Sequence, residues 1–143
     1  MRRLFAMCGA LLLAALITPA QQGLTLEVQL HYTGPGTVDA THKIFVALWD
    51  SAGFANGEGG PPVAVQSATS KNGTVTFSDV QKVPAYVSAA YDPTGNWDAQ
   101  SNPPSGSSLG MYSKTPPKPE PIDISKGKIA KVTISFDDSN KVK

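Results

Sequence analysis

Oxygen-bearing side chains recur at every second position in one short segment. Asp92, Thr94, Asn96 and Asp98 follow the spacing that Ca²⁺-wrapping loops use for their carboxylate, amide and hydroxyl ligands. An EF-hand loop would continue to a bidentate Glu, but Pro103 stands at that position. The pattern predicts a weak calcium site, and Ca²⁺ is the one cofactor that the sequence suggests. The alternative is an Asx-turn, in which these side chains cap the local backbone.

Two aromatic residues of the following segment are candidates for ligand binding. Trp97 and Tyr112 lie in residues 92–121, which hold seven prolines and no strand pattern. A connection of this length inside a compact domain is usually functional or disordered, and we expect an ordered loop. The two rings would either bind a ligand or pin the loop to the domain, and both roles stay open. Trp49 ends an apolar run and is expected in the core.

Acid–base chemistry has few candidates. Asp50 and Glu58 flank the glycine-rich loop 51–62, and a glycosidase would need two carboxylates about 5–10 Å apart, one with a raised pKa. His31 and His42 are eleven residues apart, which suits no compact zinc motif. We interpret these side chains as solvated and predict no catalytic residue. A hydrolase that uses Asp50, Glu58 or His31 remains an alternative.

Two short motifs have plain explanations. Residues 106–110, Gly-Ser-Ser-Leu-Gly, match the nucleophile elbow G-x-S-x-G. That elbow needs a strand before it, a helix after it and a later His, and both histidines precede it. Residues 72–74 form a glycosylation sequon, which an Asn-Gly turn explains without modification.

The elements that must position these residues are strands. In 24–32 apolar residues alternate with polar ones, which predicts a strand with one buried face. The continuous apolar run 44–49 predicts a central strand buried on both faces. Asn72-Gly73 predicts a type I′ hairpin between the third and fourth strands. The predicted strands cover 24–32, 44–49, a segment from 63, 74–78, 85–91, 122–124 and 130–136.

Seven short strands without helical periodicity indicate an all-β class. We predict a seven-stranded antiparallel or mixed β-sandwich. The expected organisation is a signal peptide at 1–20, the sandwich at 21–137 and a frayed polar tail at 138–143.

The beginning of the chain predicts export. Arg2 and Arg3 precede an apolar run at 4–17, and small residues at 18–20 form a cleavage site. This order is typical of a secretory signal peptide, and the run is too short for a membrane span, which needs about 20 residues. A retained membrane anchor is the alternative. We expect a periplasmic or secreted protein without a membrane span after cleavage.

Charge narrows the class of partner. Removal of Arg2 and Arg3 leaves ten Lys against eleven Asp and Glu, a net charge of −1, and no Arg follows residue 3. Because Arg is preferred for bidentate phosphate contacts, nucleic acid is not expected as a partner. The single cysteine, Cys8, falls in the leader, so no disulfide is expected.

Four motifs resemble those of a known family. They are residues 77–80 (Phe-Ser-Asp-Val), 84–87 (Pro-Ala-Tyr-Val), 91–96 with Tyr91-Asp92 and Gly95-Asn96, and 110–113 (Gly-Met-Tyr-Ser). The chain resembles small exported bacterial domains of unknown function with a transthyretin-like (prealbumin-like) sandwich. Carboxypeptidase-regulatory-like and starch-binding-like domains are related sandwiches. The resemblance implies a fold and an envelope location, and no known activity.

The sequence therefore predicts a non-enzymatic binding or interaction module of the bacterial envelope. Its partner would be an envelope protein or a glycan. The loops 51–62 and 92–121 would form the working surface if they lie at the same end of the sandwich. A carbohydrate-binding module and a structural envelope protein are the alternatives.

Overall fold

The chain is all-β in the part that the computed structural model describes, residues 23–81, 84–124 and 129–143. The predicted signal peptide, 1–20, lies outside the described residues. No helix within those ranges is long and apolar enough to cross a membrane. The elements are β1 (Leu24–Tyr32), β2 (Ile44–Trp49), a 3₁₀ helix (Ala52–Asn56), β3 (Ala64–Ala68), β4 (Thr74–Val80), β5 (Tyr86–Tyr91), β6 (Ser108–Met111) and β7 (Ile129–Phe136).

These strands form two sheets that pack face to face. The three-stranded sheet has the order β4-β1-β7, and the four-stranded sheet has the order β3-β2-β5-β6. β1 and β7 pair in parallel, and the other pairings between strands are antiparallel. The prediction of an all-β, two-sheet architecture is confirmed.

The core lies between the two sheets. The period-two pattern of β1 places Leu26, Val28 and Leu30 inside with no exposed surface, and Ile44 and Val46 of β2 are equally buried opposite them. Full burial of such a side chain contributes about 1.5–3 kcal/mol. Alternation in the sequence is therefore enough to assign the inner face of each long strand.

The prediction that β2 is buried on both faces is wrong. Ile44, Val46 and Leu48 face the core, whereas Phe45 and Trp49 on the other face are half-buried. Among the described residues no further sheet or α-helix covers that face, and the 3₁₀ helix reaches it through Phe54. The run is continuous because the outward side of β2 is apolar as well. The prediction that Trp49 lies in the core is therefore wrong.

The predicted hairpin between β3 and β4 is also wrong, because the two strands belong to different sheets. The Gly73 amide donates to the Ser70 carbonyl at 3.2 Å, so the turn centres on Lys71 and Asn72. Neither Asn72 nor Gly73 has the positive φ that a type I′ turn requires. A Cβ at Gly73 would lie 3.0 Å from the Cβ of Ala68, so close packing of the crossing explains the glycine.

The sixth strand lies elsewhere than predicted. Residues 122–124 provide one isolated bridge, between Ile122 and Ala85, rather than a strand. β6 instead forms inside the segment predicted to be a loop and pairs with β5 along the sheet edge. Gly110 in its centre hides the pattern, since a Cβ there would lie 2.6 Å from the Cβ of Phe136.

The polar tail is hydrogen-bonded rather than frayed. The Gly106 amide donates to the Val142 carbonyl at 2.9 Å, and the Val142 amide donates to the Ser107 carbonyl at 3.0 Å. The Leu109 amide donates to the Asn140 carbonyl at 2.8 Å. These bonds cover part of the free edge of β6, which the polar composition of the tail does not reveal.

Candidate functional site

The two loops predicted to form one surface leave the four-stranded sheet at opposite ends. Antiparallel pairing of β2 with β5 places Trp49 beside Tyr86 and Ile44 beside Tyr91. The 51–62 loop follows Trp49, whereas the 92–121 segment follows Tyr91. The condition that both loops lie at one end is therefore met only in part: the segment starts at the Tyr91 end, whereas its last residues lead to Ile122, which pairs with Ala85 next to Tyr86.

The 51–62 loop nevertheless folds back over the sheet. The Ser51 hydroxyl accepts a hydrogen bond from the Gly53 amide at 3.1 Å and caps the 3₁₀ helix, and Gly57, with φ 69°, caps its C-terminal end. A positive φ favours glycine, because glycine has no Cβ that would clash with the backbone in that conformation. The helix places the Phe54 ring on the Trp49 ring, with centroids 5.0 Å apart and planes 12° apart.

The start of the 92–121 segment folds over the same face from the other end. The side chain of Asp92, only 1% exposed, organises the turn. Its Oδ1 accepts from the Thr94 amide at 2.9 Å and from the Thr94 hydroxyl at 2.7 Å, and its Oδ2 accepts from the Trp97 amide at 3.0 Å. The turn places Trp97 edge-on against Phe45, with centroids 4.9 Å apart.

The environment of Asp92 keeps the carboxylate ionised. Burial raises its pKa, but the hydrogen bonds from Thr94 and from the amides of Trp97, Thr94 and Gly95 outweigh that effect, so the pKa is lowered. A buried carboxylate that accepts several such bonds is stable as an anion. Asp92 therefore acts as the cap of the turn.

The side chains of three of the four predicted calcium ligands have other partners in this structure. Asp92 accepts the bonds just described, and the Thr94 hydroxyl also accepts from the Asn96 amide at 3.2 Å. Oδ1 of Asp98 accepts from the Gln100 amide at 2.9 Å. No cluster of three or more His, Cys, Asp or Glu occurs in the described ranges. The geometry is that of the Asx-turn alternative, and the calcium site stays a prediction.

The outward positions of the four-stranded sheet are mostly apolar. Phe45, Ala47 and Trp49 of β2 point away from the core and are half-buried. Their cross-strand neighbours share that face because directly paired residues point the same way. We call this surface, with Phe54 and Trp97 above it, the aromatic face; its other members are Val65, Ser67, Tyr86, Ser88, Ala90, Leu109 and Met111.

The two candidate ligand-binding aromatics differ in position. The Trp97 indole donates to the Ser101 carbonyl at 3.1 Å, so its ring is held in place above the aromatic face. Tyr112 packs against the core, and its amide donates to the Val87 carbonyl at 3.1 Å. Both rings anchor the 92–121 segment, and a role of either in ligand binding stays a prediction.

The candidates for acid–base chemistry lie in three places. His31 lies on the outer face of the three-stranded sheet, where Nδ1 is 2.8 Å from the Asn72 side-chain oxygen. His42 lies 3.2 Å from Asp39, in the turn before β2. Asp50 and Glu58 are both exposed, on the loop that follows β2.

Sequence reasoning missed a polar network between the sheets. Oδ1 of Asp138 accepts from the Tyr32 hydroxyl at 2.6 Å and from the Ser108 hydroxyl at 2.6 Å, and Oδ2 lies 2.6 Å from the Lys141 ammonium. Ser108 is the central serine of the elbow-like motif, and here it is a buried residue of β6. The network fastens the C-terminal residues to both sheets.

The network shifts the pKa values of its members in opposite directions. Hydrogen bonds from Lys141, Ser108 and Tyr32 lower the pKa of Asp138 to about 2. Burial, together with the bond to Asp138, raises the pKa of Tyr32 to about 12. Asp138 is anionic and Tyr32 neutral over the physiological range, which suits a structural lock.

Comparison of the chain with family models, with curated proteins and with solved structures gives no match. The assignment of a function therefore depends on the surfaces described above.

Proposed function

We propose that this chain is an exported, non-enzymatic binding module whose working surface is the aromatic face. One observation carries the proposal: the outward positions of the four-stranded sheet hold Phe45, Trp49, Tyr86 and further apolar side chains. An antiparallel sheet that meets only water has polar outward positions. Contiguous apolar surface rimmed by polar residues usually marks an interaction site.

The proposal includes a location and a type of sandwich. The leader-like pattern at 1–20 supports a periplasmic or secreted protein. The division into sheets of three and four strands supports the transthyretin-like sandwich that the motifs suggest. An envelope protein or a glycan would be the partner.

The separation of Asp50 from His31 argues against catalysis by that pair. Asp50 lines a groove with Val80 at one end of the sandwich. β1 begins beside Val80 and reaches His31 seven residues later, a distance of about 23 Å along the strand. Asp50 and His31 thus lie too far apart to act on one bond, whereas general acid–base catalysis needs both groups within hydrogen-bond reach of the reacting atoms.

Retention of the protein by isolated cell envelopes tests the proposed surface. The purified secreted chain is mixed with envelope fragments, and the bound fraction is measured by sedimentation over a concentration series. Val65→Lys places a charge on the aromatic face, and we expect it to weaken retention about tenfold or more. Thr76→Lys places the same charge on the outer face of the other sheet and should leave retention unchanged.

Equal retention of the two lysine variants would overturn the aromatic face as the working surface. Binding that never saturates would favour the alternative of a structural envelope protein. Export has its own test: the mass of the secreted chain should correspond to a first residue at Gln21, and an intact N-terminus would contradict the predicted cleavage.

A further inference from the structure

We infer that the aromatic face contains a cleft for a neutral glycan, between two pairs of aromatic rings. The inference rests on the proposed function and names its ligand class. One wall is the Trp49–Phe54 stack, and the other is the Phe45–Trp97 pair. We call them the stacked wall and the edge-on wall.

The two walls stand on one strand with small residues between them. Phe45 and Trp49 are four residues apart on the same face of β2, a separation of about 13 Å at 3.3 Å per residue. Ala47 lies midway, with Ser88 beside it on β5 and Val65 beside it on β3. No large side chain rises from Ala47 or Ser88, and because the Trp49 indole reaches over Ser88, the low part of the floor lies at Ala47.

The walls are held rigidly by the chain itself. The Trp49 indole donates to the Ser88 hydroxyl at 2.9 Å, which fixes the ring in the stacked wall. The turn around Asp92 fixes the position of Trp97 in the edge-on wall. Preorganised rings lose little conformational entropy when a ligand binds. This favours a ligand that binds only through stacking and hydrogen bonds.

The size of the face favours a small ligand over a folded protein. Four strands about 4.8 Å apart and six residues about 3.3 Å apart give a projected area of roughly 400 Å². A standard protein–protein interface needs about 800 Å² on each partner. A sugar chain lying across the strands needs only part of the available area.

The charge of the surrounding loops favours neutral ligands over anionic ones. Residues 50–62 and 92–113 contain no Lys or Arg, and they carry Asp50, Glu58 and Asp98 as exposed carboxylates. Lys43 precedes Phe45 on the same side of the chain, and Lys114, paired with Glu120 at 2.9 Å, and Lys118 follow later in the 92–121 segment. Exposed carboxylates still make the loops less favourable for a phosphate, nucleic acid or acidic polysaccharide than for a neutral ligand. A purely apolar ligand would leave the hydrogen-bonding groups of these loops without a role.

A neutral polyhydroxylated ligand satisfies both kinds of surface. The C–H faces of sugar rings pack on aromatic rings. Sugar hydroxyls donate to carboxylates and exchange hydrogen bonds with amide side chains, which the loops supply at Asn56, Asn96 and Gln100. The combination of aromatic walls, a low floor and a rim of exposed carboxylates and amides therefore points to a neutral glycan.

Tryptophan fluorescence tests the inference directly, because Trp49 and Trp97 are the only tryptophans of the chain and stand in opposite walls. The full secreted chain is titrated with neutral α-glucan, β-glucan and chitin oligosaccharides, and with an oligogalacturonate of equal length as the acidic probe. We expect a saturable change with at least one neutral probe and an affinity at least about tenfold weaker for the acidic one.

Two variants locate the binding. Ala47→Leu fills the floor and should weaken binding about tenfold or more, whereas Thr76→Leu adds a similar side chain to the opposite sheet and should leave affinity unchanged. Phe54→Ala removes one ring of the stacked wall from a loop, without altering a strand, and should weaken binding about tenfold.

Three results would overturn the inference. They are no response to any neutral probe at millimolar concentration, equal affinity for the acidic probe, and unchanged affinity in Ala47→Leu. If the glycan titrations fail while Val65→Lys still releases the protein from envelopes, the proposed function stands without its ligand class. If Val65→Lys has no effect on retention, the proposed function itself fails.

Discussion

The two outward faces of the sandwich carry opposite chemistry. The face of the three-stranded sheet presents mainly hydroxyl, amide and charged side chains, and we call it the polar face; its members are Thr25, Glu27, Gln29, His31, Thr74, Thr76, Ser78, Lys131, Thr133 and Ser135, with Ile129 as an exposed apolar residue at its edge. The aromatic face presents rings and aliphatic groups at equivalent positions. Since both sheets use the other side to cover one shared core, packing of that core does not explain the difference.

The polar face shows that the outward side of a sandwich strand does not have to be apolar. A strand needs only one apolar side to fold into a sandwich, as β1 demonstrates with its polar outward residues. β2 has apolar residues on both sides, and two loops from opposite ends partly cover the outer one. The extra apolar side is unnecessary for the core, which is why we assign a binding role to it.

The largest expected effect concerns the loop that supports the edge-on wall. Asp92→Ala removes a buried carboxylate and leaves the amides of Thr94 and Trp97 without their acceptor. Hydrogen bonds to charged groups contribute about 1.5–3 kcal/mol, so we expect a loss of about 3 kcal/mol in the free energy of unfolding. Urea denaturation measures this loss.

Asp98→Ala is the matched control for Asp92→Ala. Asp98 is exposed and accepts one bond, from the Gln100 amide, so we expect a loss of about 0.5 kcal/mol. Equal losses in the two variants would contradict the assignment of Asp92 as the organising residue of the turn.

A substitution in the stacked wall should cost less stability than Asp92→Ala, but more than a substitution on the polar face. Trp49→Phe keeps an aromatic ring but loses the bond to Ser88 and part of the contact with Phe54. We expect a loss of about 1–2 kcal/mol, against less than about 0.5 kcal/mol for Thr76→Ser on the polar face. Thermal unfolding followed by circular dichroism checks both, and similar midpoints for the two variants would remove the energetic difference between the faces.

The sequence patterns predict the core-facing sides of the strands better than their outward sides. The alternation in 24–32 and 130–136 identifies β1 and β7 because burial on one side imposes a period of two. For 44–49 the continuous apolar run predicts the strand but misreads its outer side, because such a run does not tell a fully buried face from a half-buried one. Trp97 was selected as a ligand candidate, whereas its pairing with Phe45 depends on how the chain turns after β5.

The remaining misses depend on contacts between distant residues. β6 is short, contains Gly110 and is stabilised by its pairing with β5. Asp138 lies in a segment whose composition resembles a solvated tail, yet its carboxylate is bonded to Tyr32, more than one hundred residues earlier. No local pattern encodes either contact; the alternation of Leu109 with Met111 is the one signal that could have suggested β6.

The network around Asp138 belongs to neither face, and pH isolates its contribution. Because the folded-state pKa of Asp138 is about 2, below its ordinary value of 3.8, the unfolded state binds more protons between these values. Stability should therefore fall as pH decreases from about 4 to about 2. Allowing for the partial exposure of the side chain, we expect a loss of about 1–2 kcal/mol from this group.

Tyr32 sets the alkaline limit of the same network. Its folded-state pKa is about 12, above the ordinary value of 10.0, so the stability it contributes is complete below pH 10 and is lost as pH rises toward 12. Denaturation midpoints across pH check both limits, with Asp138→Asn as the comparison. If stability falls as steeply at low pH in Asp138→Asn as in the parent chain, the loss belongs to other carboxylates with lowered pKa values, such as Asp92.

The smallest expected effect lies on the polar face itself. Glu27 and Lys131 form an ion pair at 3.1 Å across β1 and β7, with the lysine side chain 73% exposed. Exposed pairs of this kind contribute about 0–1 kcal/mol because solvent screens the charges and both side chains lose freedom. We expect Lys131→Ala to change the free energy of unfolding by less than about 0.5 kcal/mol and to leave envelope retention unaltered. A double-mutant cycle with Glu27→Ala measures the coupling; a value above about 1 kcal/mol, or any loss of retention, would show that the polar face also carries function and would end the distinction between the two faces.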